Sequence, residues 1–268
     1  MYMNFKKIVT IGMVAMSVMA AFTGCGSSNN TSSTNEKKII VGTNPTFVPF
    51  EFKDEKTQGY DGYDIDMINA IANKMGAKVE FKNVSFDALI PALMSKDIDI
   101  AVSGMTITPE RKSKVLFATP YYESGLAIVT KSSTTTINSI NDLSNHTVSV
   151  QLGTTGAKAA HAINGATIKE FDHSNEALLE LKIGNVEAAV LDLPVAQYYM
   201  SKHPEENLKI IPLNNNAKEY FGIAMSQDNS QLQKEINKAI ADLKASGEFD
   251  KIYQKWFNQN APTDMPVE

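Results

Sequence analysis

The chain has 268 residues, 43% of them hydrophobic, 21% charged and 8% aromatic, with 15 Gly and 10 Pro, a composition that excludes collagen-like, low-complexity and wholly disordered chains. Thirty acidic against 25 basic residues leave a formal charge of -5, which excludes nucleic acid as the main partner, because a phosphate backbone calls for clustered Lys and Arg. One cysteine and four scattered histidines rule out an intramolecular disulfide and offer no zinc-spaced set; neither a metal nor a cofactor is expected, and two modest domains must hold by their cores.

Lys6 and Lys7 precede an uncharged apolar run from Ile8 to Phe22, the layout of an export signal. The run falls short of the about 20 apolar residues that a membrane-spanning helix needs, so residues 1–24 read as a signal peptide. It ends Phe22-Thr23-Gly24-Cys25, which resembles the lipobox of bacterial lipoproteins, with Phe22 where Leu is usual. That resemblance implies cleavage before Cys25, acylation of the new N-terminus by a lipid such as palmitate, and attachment to the outer face of the cell membrane. Cleavage removes two lysines and no acid, so the formal charge falls from -5 to -7. Residues 25–38 contain a run, GSSNNTSSTNEKK, with no apolar side chain to offset the entropy of ordering, and are expected to form a flexible tether spanning on the order of 20 Å.

From residue 39 on, short β-rich runs alternate with helical periods, which predicts an α/β architecture. Ile39 to Gly42 reads as a strand. Ile65, Ile68, Ile71, Ala72 and Met75 then fall at helical spacing, with Asp64 placed to cap the start and Gly76 to stop the end. A second helix is expected from Ser85 to about Ser95, followed by a strand from Asp97 to Val102. The segment SNEALLELKIGNVEAAVLD, Ser174 to Asp192, can be laid on SFDALIPALMSKDIDIAVSG, Ser85 to Gly104, with one single-residue gap. Ser174 matches Ser85, Ala189-Val190 match Ala101-Val102, and Asp192 falls at Gly104. Two lobes of similar topology would put the turn from Ser103 to Arg111 and Asp192 at strand carboxyl ends, facing a shared cleft.

Candidate site residues follow from that geometry. In Thr106-Ile-Thr-Pro-Glu-Arg111, Thr108 suits the N-cap and Pro109 the first helical position. Arg111 then lies in a first turn that already carries positive partial charge, and either an anion is shared there or Glu110 neutralises the arginine at the surface. A second anion-type turn, Gly153-Thr-Thr-Gly156, follows the strand Val148 to Gln151; Thr154 and Thr155 offer hydroxyls and N–H groups, without the Gly-Lys-Ser/Thr of a P-loop. Asp192 closes an apolar strand beginning at Val186 and calls for a cation. Arg111 with the Thr turns for a carboxylate, and Asp192 for an ammonium, together describe an α-amino acid zwitterion. Phe47 and Phe86 either flank its side chain or pack in the core. There is no GxSxG or HExxH, and His146, His161, His173 and His203 have no evident partners, so catalysis is not expected. Asp61, Asp64 and Asp66 lack EF-hand spacing and read as capping or solvated residues.

TNPTFVPFEF (Thr43 to Phe52), GYDIDMINAIA (Gly62 to Ala72), FDALIPAL (Phe86 to Leu93), SGMTITPER (Ser103 to Arg111) and IYQKWF (Ile252 to Phe257) together resemble the bacterial extracellular solute-binding proteins of family 3, the polar amino-acid receptors of ABC importers. The resemblance runs in order over nearly the whole chain after the tether. It implies a type II periplasmic-binding fold: two α/β lobes, residues 39–121 with 222–260 and residues 126–216, joined by hinge crossings at 122–125 and 217–221, with a tail at 261–268. It further implies that Arg111, Thr106 and Thr155 hold the α-carboxylate, that Gly104 and Asp192 hold the α-ammonium, and that Phe47 and Phe86 flank the side chain, with Ser103 and Thr154 beside them. Asn44 stands where basic-ligand members often carry Asp, and Gln151 where glutamine-binding members carry Lys. Two neutral amides suit a glutamine-like side chain first and a basic one second, with Glu219 near enough to serve a cation. The family implies a monomer that closes by hinge motion and delivers its ligand to a permease and ATPase. A sensor, or an enzyme such as a cyclohexadienyl dehydratase, is the alternative use of the same fold.

Overall fold

A computed structural model describes residues 37–213 and 218–266. The expected signal peptide, the lipidation site at Cys25 and the tether up to residue 36 lie outside the described residues. No described helix is long and apolar enough to cross a membrane. The first strand, Lys37–Thr43, begins two residues ahead of the expected start because Lys37 and Lys38 pair in register with Ala77 and Lys78.

Two five-stranded sheets carry the molecule. In the first the order is Ala77–Asn83, Lys37–Thr43, Ile100–Ala101, Ala224–Ser226, Val115–Phe117. In the second it is Thr167–Phe171, Thr147–Gln151, Ala188–Asp192, Leu126–Lys131, Leu208–Pro212. In each sheet the first three strands run parallel and the fourth is antiparallel to both neighbours. The weak internal match in the sequence therefore has a structural counterpart, since Ile100–Ala101 and Ala188–Asp192 are the two central strands, each entered from a helix, Leu89–Met94 or Ser174–Ile183. The first of these strands is shorter than the pattern from Asp97 to Val102 predicts, with Asp99 spending its carboxylate on the Ile40 N–H at 2.7 Å.

The chain leaves the first sheet after Val115–Phe117, runs through Tyr122–Ser124 and enters the second at Leu126–Lys131; it returns through Glu219–Phe221 to Ala224–Ser226. These two passages pair antiparallel, Glu219 opposite Ser124 and Phe221 opposite Tyr122. Phe50, Tyr63, Tyr122, Phe221 and Phe257 pack edge-on or stacked around them, with centroid separations from 4.8 to 6.0 Å. Aromatic pairs of this kind add about 0.5–1.5 kcal/mol beyond area burial, and the paired crossing strands are set in this packed aromatic layer.

The first helix is Tyr63–Lys74, with Gly62 at its N-cap. Met67, Ile68 and Ile71 are fully buried and Gly76 follows with positive φ, as the period predicts. Asp64 does not cap it. The residue sits inside the first turn, wholly buried, and its carboxylate turns toward Gly104 and Tyr121. The expected helix at Ser85 opens as a 3-10 turn, Phe86–Ala88, before Leu89–Met94, and the Ser85 side chain makes no cap bond. The closing helices, Ser230–Ala245 and Glu248–Phe257, lie on the first helix. Ile236, Ile240 and Leu243 are buried there, each worth roughly 1.5–3 kcal/mol on removal from water. Lys255 and Trp256 Nε1 donate to Asp66 at 2.6 and 2.7 Å, so Asp66 is neither a cap nor a solvated side chain.

Candidate functional site

Parallel strands bring their carboxyl ends to one side of a sheet, and the two sheets present those ends to each other. Asn44 follows Lys37–Thr43, Ser103 and Gly104 follow Ile100–Ala101, Gln151 ends Thr147–Gln151, and Asp192 ends Ala188–Asp192. Phe86 opens the turn beyond Ala77–Asn83, and Thr154 and Thr155 begin the helix Thr155–His161. These residues, with Phe47, Thr106 and Arg111, line one cavity. Every candidate ligand-binding residue read from the sequence reaches this cavity, and Glu51 joins them.

Arg111 is held as its local sequence predicts. Thr108 caps the short helix Pro109–Lys112 by accepting the Arg111 N–H at 3.1 Å. Its guanidinium turns inward, donating to the Thr106 carbonyl at 2.7 Å and to the Gly153 carbonyl, in the opposite half, at 3.0 Å. Glu110 does not neutralise it; that carboxylate pairs with Lys158 and Lys114 at the surface. Burial lowers the Arg111 proton affinity, opposed by the charges of Asp192 and Glu219. The guanidinium also lies 5.3 Å from the Phe86 ring centre, a cation–π distance. Phe47 and Phe86 are 7% and 9% exposed, packed in the core, and both also wall the cavity.

Across the cavity Asp192 is 6% exposed and accepts a hydrogen bond from the Ser124 hydroxyl at 3.1 Å. Burial pushes its carboxyl up to about 7; Glu219 adds to the shift, while Ser124 and Arg111 oppose it. An acid so placed is short of a cation partner. Glu219 accepts from the Thr106 and Thr155 hydroxyls at 3.3 and 3.2 Å, joining a threonine of each half, and burial raises its proton affinity too. Thr154 spends its hydroxyl as a helix cap for the Ala157 N–H, 3.0 Å away, and its N–H points to the Gln151 carbonyl at 3.4 Å. It shapes the turn and lines the cavity, but its N–H is not the free donor the Gly/Thr pattern predicts.

Gln151 donates to Asn44 Oδ1 at 3.1 Å, and Asn44 Nδ2 meets the His173 ring at 3.4 Å. His173 had no evident partner in the sequence; the others do have partners, His146 with Glu187 at 2.9 Å, His161 with Glu170 at 3.0 Å and His203 with Glu205 at 3.4 Å. Glu51 escaped the sequence reading. Its strand, Glu51–Lys53, is too short for an alternation pattern. The one available signal was an acid set between Phe50 and Phe52. Gly104 is held at φ +52 and a Cβ there would stand 2.7 Å from the Phe47 ring, so only glycine lets that wall approach the backbone.

The chain matches the family model of bacterial extracellular solute-binding proteins, family 3, over residues 39–259. It is 34% identical over 248 residues to the arginine-binding extracellular protein ArtP of Bacillus subtilis (strain 168), covering 91% of this chain and 96% of that one. Among solved structures it is similar to an ancestral arginine-binding protein bound to glutamine, at 46% identity and TM-score 0.79, covering 83% of this chain and 98% of that one. An ancestral arginine-binding protein bound to arginine gives 45% identity and TM-score 0.78, covering 82% and 98%. A double-lobed α/β frame with matched sheets, its strand ends turned onto one small charged cavity, thus goes with a family-model match over residues 39–259 and a 34% identical relative, and the chain belongs to the bacterial extracellular solute-binding proteins of family 3.

Proposed function

We propose that this chain is the substrate-binding component of an amino-acid ABC importer, tethered by a lipid on Cys25 outside the cell membrane. A single observation carries the reading: Arg111 and Asp192, assigned to an anion and a cation from opposite halves of the sequence, line one small cavity. Arg111 with Thr106 and Thr155 takes the α-carboxylate, Asp192 with the Gly104 backbone takes the α-ammonium, and Phe47 and Phe86 flank the side chain. Charge-assisted hydrogen bonds of about 1.5–3 kcal/mol each supply the roughly 8 kcal/mol of micromolar binding once association costs are met. The paired passages Tyr122–Ser124 and Glu219–Phe221 act as the hinge, and the closed form is what the permease and its ATPase recognise.

The side chain of the ligand is cationic by preference, arginine ahead of glutamine. This reverses the order drawn from Asn44 and Gln151. Those two amides largely satisfy each other, whereas Glu51 adds a buried acid to the same wall. The ligand-binding names of the relatives support the same order. Calorimetry on protein stripped of carried-over ligand tests it: micromolar or tighter arginine binding is expected, with weaker glutamine binding, and a thermal-shift screen of the twenty amino acids should rank arginine first. No response to any amino acid would reject the assignment.

A further inference from the structure

Under the cavity wall two carboxyl groups meet. Glu51 is 1% exposed, and its Oε1 accepts the Ser103 hydroxyl at 2.8 Å, whose oxygen in turn accepts the Asn44 N–H at 3.0 Å. Asp64 is fully enclosed; its Oδ2 accepts the Gly104 N–H at 2.8 Å and the Tyr121 hydroxyl at 2.9 Å. Glu51 Oε2 and Asp64 Oδ1 meet no donor among the described residues. The two carboxyl groups are anchored on consecutive residues, Ser103 and Gly104, and two ionised carboxylates so placed would have no proton with which to bond each other.

The charges around Glu51 are of one sign. Asp64 faces it from the first helix and Asp192 from the end of a central strand of the opposite half. Arg111 is engaged by the Thr106 and Gly153 carbonyls, and His173 reaches only as far as Asn44. Tyr121 and Tyr63, both buried and held protonated, complete the surroundings. Burial and then the Asp64 charge push Glu51 well above the usual carboxyl range. Burial lifts Asp64 only to about 6, because Gly104 and Tyr121 hydrogen-bond its ionised form. Burial and the neighbouring acid together favour the protonated form of Glu51.

We propose that the Glu51–Asp64 pair is a proton-exchange site that distinguishes cationic from neutral ligand side chains, releasing one proton when a guanidinium or ammonium group reaches Glu51. On binding, the O–H bond of Glu51 breaks, its electron pair stays on the carboxylate, the proton passes to solvent, and the ligand cation replaces it as the partner of the buried charge. A neutral amide accepts the Glu51 hydrogen bond instead, and the proton stays. One cavity thereby serves both ligand classes, with the preference for the cation growing as pH rises. The inference rests on the amino-acid binding proposed above.

Asp192 also binds a proton and meets the ammonium common to all amino acids, so the diagnostic quantity is the difference between arginine and glutamine. Calorimetry of the full, ligand-stripped protein at pH 8, in buffers of different ionisation heat, is expected to give about one more proton released with arginine than with glutamine. The ratio of arginine to glutamine affinity should rise by up to about tenfold per pH unit between pH 6 and 8. Glu51→Gln should release equal numbers with the two ligands and bind arginine at least about tenfold more weakly. Asp64→Asn, whose amide can stabilise an ionised Glu51, should bind arginine with a smaller excess of protons. Should Glu51→Gln fail to fold, the wild-type difference decides. Equal proton release for arginine and glutamine overturns the proposal and leaves the transport reading standing; binding of glutamine without arginine overturns the proposal and the cation preference; no binding of either overturns the functional reading itself.

Discussion

Asp192 is a buried acid whose charge works against the fold. A carboxyl whose folded-state value lies above its unfolded one binds more protons in the native state, so it lowers stability progressively as pH rises from the unfolded value of about 4 toward the folded value. For Asp192 that upper limit is about 7. Replacing it by Asn keeps an acceptor for Ser124 and removes the buried charge. Denaturant unfolding of ligand-free Asp192→Asn is expected to match wild type near pH 4 and to exceed it at pH 8, by on the order of 1–3 kcal/mol. The same variant should bind arginine at least about tenfold more weakly, since the α-ammonium loses its counter-charge. Arg111→Ala removes the opposite partner and leaves the Thr106 and Gly153 carbonyls unpaired; its arginine affinity, by calorimetry, should fall about a hundredfold or more. For wild type the amino-acid affinity should drop as pH falls below about 7, as Asp192 takes up its proton.

Among the elements, the turn Gly153 to Gly156 carries the closest approach between the halves. Gly153 is at φ +78, and a Cβ there would stand 2.9 Å from Cβ of Asp87, in the opposite half. Its carbonyl is also a partner of Arg111. Gly153→Ala therefore strains the turn by about 1 kcal/mol and obstructs closure as well. Its arginine affinity is expected to fall by more than the strain alone predicts, about tenfold or more, while unfolding of the ligand-free protein changes little beyond that strain. Equal losses in affinity and stability would indicate that the turn acts only locally. The short helix Pro109–Lys112 behaves differently, because its Thr108 cap and Pro109 are satisfied within the segment itself.

For the molecule as a whole, closure rests on a few ties between halves. Gln151 to Asn44 and Arg111 to Gly153 are buried or partly so, Ser174 donates to the Thr46 carbonyl at 2.8 Å, and Lys158 pairs with Glu110 at the rim. Exposed ion pairs contribute about 0–1 kcal/mol, and here the two side chains are 74% and 59% exposed. Glu110→Ala should accordingly change arginine affinity by less than about threefold, against the far larger loss for Arg111→Ala. A ligand bound between the halves should add thermal stability by mass action, about 2.7 kcal/mol at a hundredfold excess over Kd, and reduce the radius of gyration in solution scattering.

Much of this was legible in the chain itself. The cap and proline that orient Arg111, the apolar strand that delivers Asp192 to its end, and the repeated helix-strand unit are local patterns, and local patterns are set by backbone geometry within a few residues. Whether Arg111 faced Glu110 or the cleft was not settled by the local pattern; the Thr106 carbonyl and, 42 positions away, the Gly153 carbonyl together hold it inward. Asp64 read as a helix cap because its sequence neighbours are helical, but a partner 40 positions away takes its carboxylate. Glu51 and His173 acquire meaning only when chain segments distant in sequence enclose them, since burial, and with it proton affinity, is a property of the surroundings and not of the residue. The sequence alone therefore determined the family and the alternating elements and named the charged residues at the strand ends, whereas the tertiary structure decided which acids lose their water, because burial depends on segments distant in the chain.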